Sequence, residues 1–144
     1  MITMPSVDIT RYVTHLSLLL DAYFTKLYKE NDLSATDVRI LLTIRDEEGI
    51  NQEYFSKETL LSKNIVSQKI KRLVKMGYIN LLEDPSDKRN NILSLTDSGK
   101  EIADYFHKEH VKVNEQLATD ISDFNIRSLN IDFLKIIKNA KKLK

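Results

Sequence analysis

The sequence predicts a mostly helical fold carrying one small β-hairpin, an α+β class in which helices do the packing. Three observations lead there. Apolar residues recur at i, i+3 and i+4 over most of the chain, the spacing of amphipathic helices. Strict alternation is confined to two short runs, YINLLE and NILSL, which are joined by the turn-rich DPSDKRN. Only three glycines and two prolines punctuate the 144 residues, so the connections are short.

Taken in order, residues 1–6 read as a loose arm, and Asp8 as the cap of a long helix over 8–30. Ile9, Tyr12, Val13, Leu16, Leu19, Leu20, Tyr23, Phe24, Leu27 and Tyr28 keep the helical rhythm throughout. That stripe is more than one helix can hide against a small domain, so part of it is expected to meet a second subunit. Ser34-Ala-Thr-Asp37 is a capping-box variant with Asp in the usual Glu position. It opens a helix that buries Val38, Leu41, Leu42 and Ile44 and ends at Glu47, Glu48 and Gly49. A short helix over 52–57 brings Tyr54 and Phe55, and the ETLL turn leads into a basic helix over 63–76.

The basic helix carries the densest chemistry. Ser62 is a natural N-cap and Gly77 a natural stop. Between them lie Lys63, Lys69, Lys71, Arg72 and Lys75, with no acidic residue. Val66, Ile70, Leu73 and Val74 define the buried side. At about 100° per residue, Asn64, Gln68, Lys71 and Lys75 fall opposite, flanked by Ser67 and Arg72. Amides, a hydroxyl and cations are the groups that read major-groove base edges and hold phosphates. In the hairpin that follows, Ile79 and Leu81 alternate against Leu93 and Leu95. Asp84, Pro85 and Asp87 form the turn, and Lys88 and Arg89 stand at its tip. A basic helix followed by such a hairpin is the layout of a winged helix-turn-helix over 34–95, with the helix in the major groove and the wing's cations at a minor groove or phosphates.

Thr96 caps a connecting helix over 97–118, with Ile102, Ala103, Phe106, Val113 and Leu117 apolar. After a break near 120–123 comes a last helix with Leu129, Phe133, Leu134, Ile136 and Ile137 apolar. Its basic end (Lys138, Lys141, Lys142, Lys144) complements the helix dipole. The whole chain reads as one domain over 1–144, in which 8–30 and 120–144 form a joint dimerisation layer. A two-fold dimer would present two basic helices to successive major-groove faces.

Composition narrows the function classes. The net charge is only +1, but residues 57–89 hold eight Lys/Arg and four Asp/Glu, a local +4, against 14 and 17 in the remainder, a local −3. A basic patch on a near-neutral protein suits DNA contact through one face. With no cysteine, disulfides, thiolate metal sites and thiol-oxidation sensing are excluded. Neither a signal peptide nor an apolar run of about 18 residues is present, so a cytoplasmic location and no membrane partner are expected. There is no Gly-rich phosphate loop or nucleophile motif, and the carboxylates are scattered, so neither catalysis nor a cofactor is expected. His107 and His110 share a helix face at i, i+3 but lack a third ligand in sequence, so no metal site is assigned. Winged helices that only bind proteins usually show an apolar or mixed-sign outer face on this helix. Here it is cationic and amide-bearing, which favours double-stranded DNA.

The run LVKMGYINLLEDPSDKRNNILSLTDSGKEI resembles the wing signature of MarR-type transcriptional regulators. The resemblance in length and order of elements covers nearly the whole chain. It implies that Asp87 orients the wing, that Arg89 enters the minor groove, and that terminal helices form a homodimer on a pseudo-palindromic operator, more often as repressor than activator. The reading face departs from any borrowed operator code, since it carries Gln68 and Lys71. Some zinc-sensing members use histidines in the connecting helix, but their fuller ligand set is not apparent here. The resemblance also implies a small anionic aromatic effector between the dimer layer and the reading domain. Arg11 and His15 share a face of the first helix and could hold a carboxylate or phenolate, with Tyr12 supplying apolar contact.

Overall fold

The computed structural model describes residues 8–58 and 61–143, the side chains of Glu58 and Lys88 excepted. The arm expected at 1–6, Thr59 and Leu60 of the ETLL turn, the Lys88 side chain and Lys144 lie outside the described residues. In chain order the elements are α1 (Ile9–Lys29), α2 (Ala35–Asp46), α3 (Gln52–Glu58), α4 (Lys63–Lys75), β1 (Ile79–Asp84), β2 (Asp87–Leu95), α5 (Asp97–Leu117) and α6 (Asp123–Ala140). They fall into two compact units, Met1–Phe106 and His107–Lys144, with the division inside α5.

The first unit is built around α2, α4 and the base of the hairpin. Val38, Ile40 and Leu41 from α2, Phe55 from α3, Val66, Ile70 and Leu73 from α4, Ile79 and Leu93 from the strands, and Ala103 and Phe106 from α5 are buried together. Each large side chain contributes roughly 1.5–3 kcal/mol by leaving water. Tyr28 stacks edge-on to Phe106 with ring centroids 5.1 Å apart. Burial of that ring pushes the Tyr28 phenol up to about 12, so it stays neutral.

Local sequence signals explain where the elements start and stop. Ser34 and Asp37 close the capping box in both directions. Ser62 accepts from the Ile65 N–H at 3.2 Å. At the end of α4, Gly77 takes φ +83°. The N–H groups of Gly77 and Tyr78 return to the carbonyls of Val74 and Leu73 at 3.0 Å each, the paired bonds of a Schellman stop. Thr96 then accepts from the Gly99 N–H at 2.9 Å while donating to the Gly77 carbonyl, which clips the base of the hairpin to the start of α5. A Cβ at Gly99 would collide with the Tyr78 carbonyl oxygen, so only glycine fits this crossing.

Asp8 does occupy the N-cap position of α1, but its carboxylate accepts no capping bond. It pairs instead with Arg11 at 3.6 Å. In the second unit Ser122 caps α6 by accepting from Asn125 N–H at 3.1 Å. None of the described α6 side chains is buried within the chain, and Phe124 and Leu134 are 76% and 70% exposed. No helix among the described residues is long and apolar enough to cross a membrane.

Candidate nucleic-acid interface

The outward face of α4 is held in place by what lies behind it. Val66, Ile70 and Leu73 lock its inner side, leaving Asn64, Gln68, Lys71 and Lys75 exposed on the opposite side. Ser67 is half-buried at the margin. α3 precedes it and packs against it, and Asn51 caps α3 by accepting from the Tyr54 N–H at 3.1 Å. Two helices in succession therefore deliver one cationic, amide-bearing helix face to solvent.

The hairpin is shorter in its turn and longer in its strands than the sequence suggests. Asp84 Oδ1 accepts from the backbone N–H of Ser86 at 2.9 Å and from its hydroxyl at 2.7 Å. These bonds tighten the turn to Pro85 and Ser86 and hold the Asp84 carboxyl below its ordinary range. Lys88 and Arg89, expected at the loop tip, consequently fall within β2. The register runs Glu83↔Asn91 and then Asp84↔Asp87, so 88–90 form a bulge. Asp87 closes that bulge, its Oδ1 accepting from Arg89 N–H at 3.0 Å and its Oδ2 from Asn90 Nδ2 at 3.1 Å. A bulge re-aims the side chains it carries, and Arg89 is left exposed. Leu81, expected to be half-buried, is exposed like Leu82, although Leu93, paired across from it in the register, is buried in the core.

A cleft of about 500 Å³ joins these parts: Gln52 and Ser56 of α3, Lys63 of α4, and Leu81, Arg89 and Asn91 of the hairpin line it. The cation that opens α4 and the cation of the bulge thus border one depression. Leu93 N–H bonds the Ile50 carbonyl at 2.9 Å, tying the hairpin to the chain just before α3.

Arg72, expected at the margin of the reading face, has partners within its own chain. Its guanidinium reaches toward the start of α2 while the side chain stays 38% exposed. Nη1 donates to Asp37 Oδ2 at 2.9 Å, and Nη2 donates to the Asp32 carbonyl. Lys69 turns the same way, donating to Ser34 Oγ at 3.2 Å. Of the five cations of the basic helix, two therefore have hydrogen-bond partners at the start of α2. Spacing within one helix could not reveal this, because the partners lie 35 residues upstream.

On α1, Arg11 and His15 border an open groove of about 420 Å³ together with Thr10, Thr14 and Leu18. Tyr12 is not part of it. One residue along, the chain has turned about 100°, and the Tyr12 ring is 71% exposed on another face. In the connecting helix, burial and the neighbouring His107 lower His110 below the usual imidazole range. No group of three or more His, Asp or Glu among the described residues could hold a metal ion.

A capped helix-turn-helix whose second helix shows a basic outer face, flanked by an antiparallel hairpin, defines a winged helix-turn-helix protein. The MarR family profile matches residues 33–90. YvnA, an uncharacterised HTH-type transcriptional regulator of Bacillus subtilis, is 27% identical over 100 residues, 69% of this chain and 64% of YvnA. The HTH-type transcriptional regulator SarZ of Staphylococcus aureus (strain USA300) is 30% identical over 119 residues, covering 76% of this chain and 80% of SarZ. The match to SarZ of Staphylococcus haemolyticus spans only 52% of that protein. Among solved structures, a MarR protein from Peptoclostridium difficile superposes with a TM-score of 0.83 at 26% identity, covering 97% of this chain and 92% of that one. A putative MarR family regulator of Listeria monocytogenes, complexed with 26mer DNA, gives 0.84 at 23% identity over 94% and 89% of the two chains. The chain belongs to the MarR family of winged helix-turn-helix transcriptional regulators.

Proposed function

We propose that this protein binds double-stranded DNA in a sequence-dependent way and regulates transcription in the cytoplasm as a homodimer, acting as a repressor at a pseudo-palindromic operator. The observation that carries the reading is the outer face of α4. Asn64, Gln68, Lys71 and Lys75 stand exposed together, with no carboxylate on the helix to oppose them. Gln68 suits bidentate contact with adenine, Asn64 and Ser67 are further base readers, and Lys71 and Lys75 suit phosphates. Arg89, aimed by Asp87, and Lys88 supply the wing's contribution at a neighbouring minor groove. That the Listeria monocytogenes relative of the same fold was solved with DNA supports this reading.

The homodimer rests on the apolar faces of α1 and α6. Tyr12, Leu18, Phe124 and Leu134 are large and exposed within one chain, and a second copy would bury them. The Arg11–His15 groove is the place we assign to a small aromatic acid, which would weaken operator binding reciprocally by preferring the free dimer. Titrating salicylate-like acids into the protein–DNA complex tests this, with Arg11→Ala expected to resist release.

Equilibrium binding to duplex DNA across a salt series tests the main claim. Affinity should fall steeply with salt, and Lys71→Glu with Lys75→Glu should abolish binding while leaving the helical signal intact. Wild-type protein that binds no duplex at low salt would contradict it.

A further inference from the structure

Asp37 is the only charged or polar residue buried in the core among the described residues, with 1% of its surface exposed. The sequence assigns it to a capping box, yet capping alone does not need a residue sunk so deep. Three donors converge on its Oδ2: the Ser34 backbone N–H at 2.8 Å, the Ser34 hydroxyl at 3.0 Å and Arg72 Nη1 at 2.9 Å. Its Oδ1 accepts no hydrogen bond and faces Lys69 Nζ at 3.9 Å. The Ser34 hydroxyl receives Lys69 Nζ as well. Arg72 continues past Asp37 to the carbonyl of Asp32, whose φ of +58° makes the left-handed turn between α1 and α2. One buried carboxylate thus gathers two cations of α4, three residues apart, onto the start of α2.

We infer that Asp37 is a positioning residue for DNA reading: through Arg72 and Lys69 it fixes the roll of α4 about its own axis. The inference rests on the DNA-binding reading above and deepens it. Gln68 and Lys71 immediately precede Lys69 and Arg72 in sequence, so any rotation that moves the anchored pair moves the reading pair equally. Side-chain tips lie about 5–6 Å from a helix axis, so a roll of about 20° displaces them by about 2 Å. Hydrogen bonds to base edges tolerate only a few tenths of an ångström. The apolar contacts of Val66, Ile70 and Leu73 resist translation of α4, but they are not directional. The ion pair is directional. Removing Arg72 leaves the buried Asp37 carboxylate with Lys69 alone at 3.9 Å, and removing the carboxylate releases the partly exposed Arg72 and Lys69 side chains from the start of α2.

The inference separates Arg72 from a phosphate contact, and a double-mutant cycle decides between them. Asp37→Asn, Arg72→Gln and the double variant are compared with wild type, using the full-length protein well below its unfolding temperature. The probes are a duplex enriched from a random pool by the wild-type protein, and an unselected duplex of equal length. Each single variant should lose roughly tenfold or more in affinity for the enriched duplex, and the double variant no more than the weaker single. Binding to the unselected duplex should stay within about twofold for Asp37→Asn, since no phosphate contact is lost. A purely structural role would lower the unfolding temperature without changing affinity per folded molecule. That outcome overturns the inference, as would additive losses with Arg72→Gln flattening the salt slope. Wild-type protein that enriches no duplex would overturn the DNA-binding reading together with this one. Enrichment by wild type with unchanged affinity in Asp37→Asn would overturn this inference alone.

Discussion

The two ends of the apolar inventory behave differently. In α2 and α4 the large aliphatic residues are enclosed by their own chain, with Leu41 and Leu73 fully buried. In α6, leucines and isoleucines with the same helical spacing stand in solvent, and Leu134 is 70% exposed. Helical periodicity is present in both regions, so periodicity reports that a face is apolar and not what covers it. The reading unit has its core in one chain, whereas α6 carries a stripe for which a second copy is the proposed cover.

That contrast is sharpest for one substitution made twice. Leu41→Ala removes side-chain volume from a closed core and should cost about 2–5 kcal/mol, lowering the unfolding temperature equally at every protein concentration. Leu134→Ala should act only through association, so its effect grows as the protein is diluted. Unfolding scans across a hundredfold range of concentration read both. A Leu134→Ala loss independent of concentration would place that side chain in an intramolecular core. A stronger break, Phe133→Asp with Leu134→Asp, should give a monomer by light scattering.

Within the reading unit the next effects belong to single contacts. Gln68→Ala should cost roughly 1–3 kcal/mol at one base position and relax the preference there. Unchanged preference in a site selection would leave Gln68 with phosphate or water alone. Arg89→Ala should weaken binding to all sequences and reduce the salt slope by about one, with little change in preference. Equal affinity of variant and wild type at two salt concentrations would remove Arg89 from the interface.

The smallest effect concerns pH in the connecting helix. Burial lowers His110 in the folded protein, so the unfolded chain binds the proton more readily. Stability should therefore be full above the ordinary imidazole range and decline as pH falls below about 6.5. His110→Gln should flatten that slope, and a slope unchanged in the variant would assign it to other groups.

Much of this was legible in the sequence because the signals are local. Ser34, Ser62 and Gly77 set helix ends through bonds that span three to five residues, and the buried side of α4 follows from spacing alone. The departures are all long-range or geometric. Arg72 and Asp37 lie on different helices, so only the packing of α2 against α4 brings them together. Leu81 alternates correctly but is exposed while its cross-strand partner Leu93 is buried, and alternation carries no information on which strand the core covers. Lys88 and Arg89 moved from a loop into a bulge because the Asp84–Ser86 bonds shorten the turn. Tyr12 adjoins Arg11 in sequence yet faces elsewhere, as neighbours on a helix do.

The central claim, that α4 and the wing of two copies read DNA, is tested most directly by selecting bound duplexes from a random pool with the wild-type protein. The expected result is an enriched inverted repeat whose half-sites are centred about one helical turn, ~10 bp, apart. Recovery of duplexes without any common sequence would contradict it.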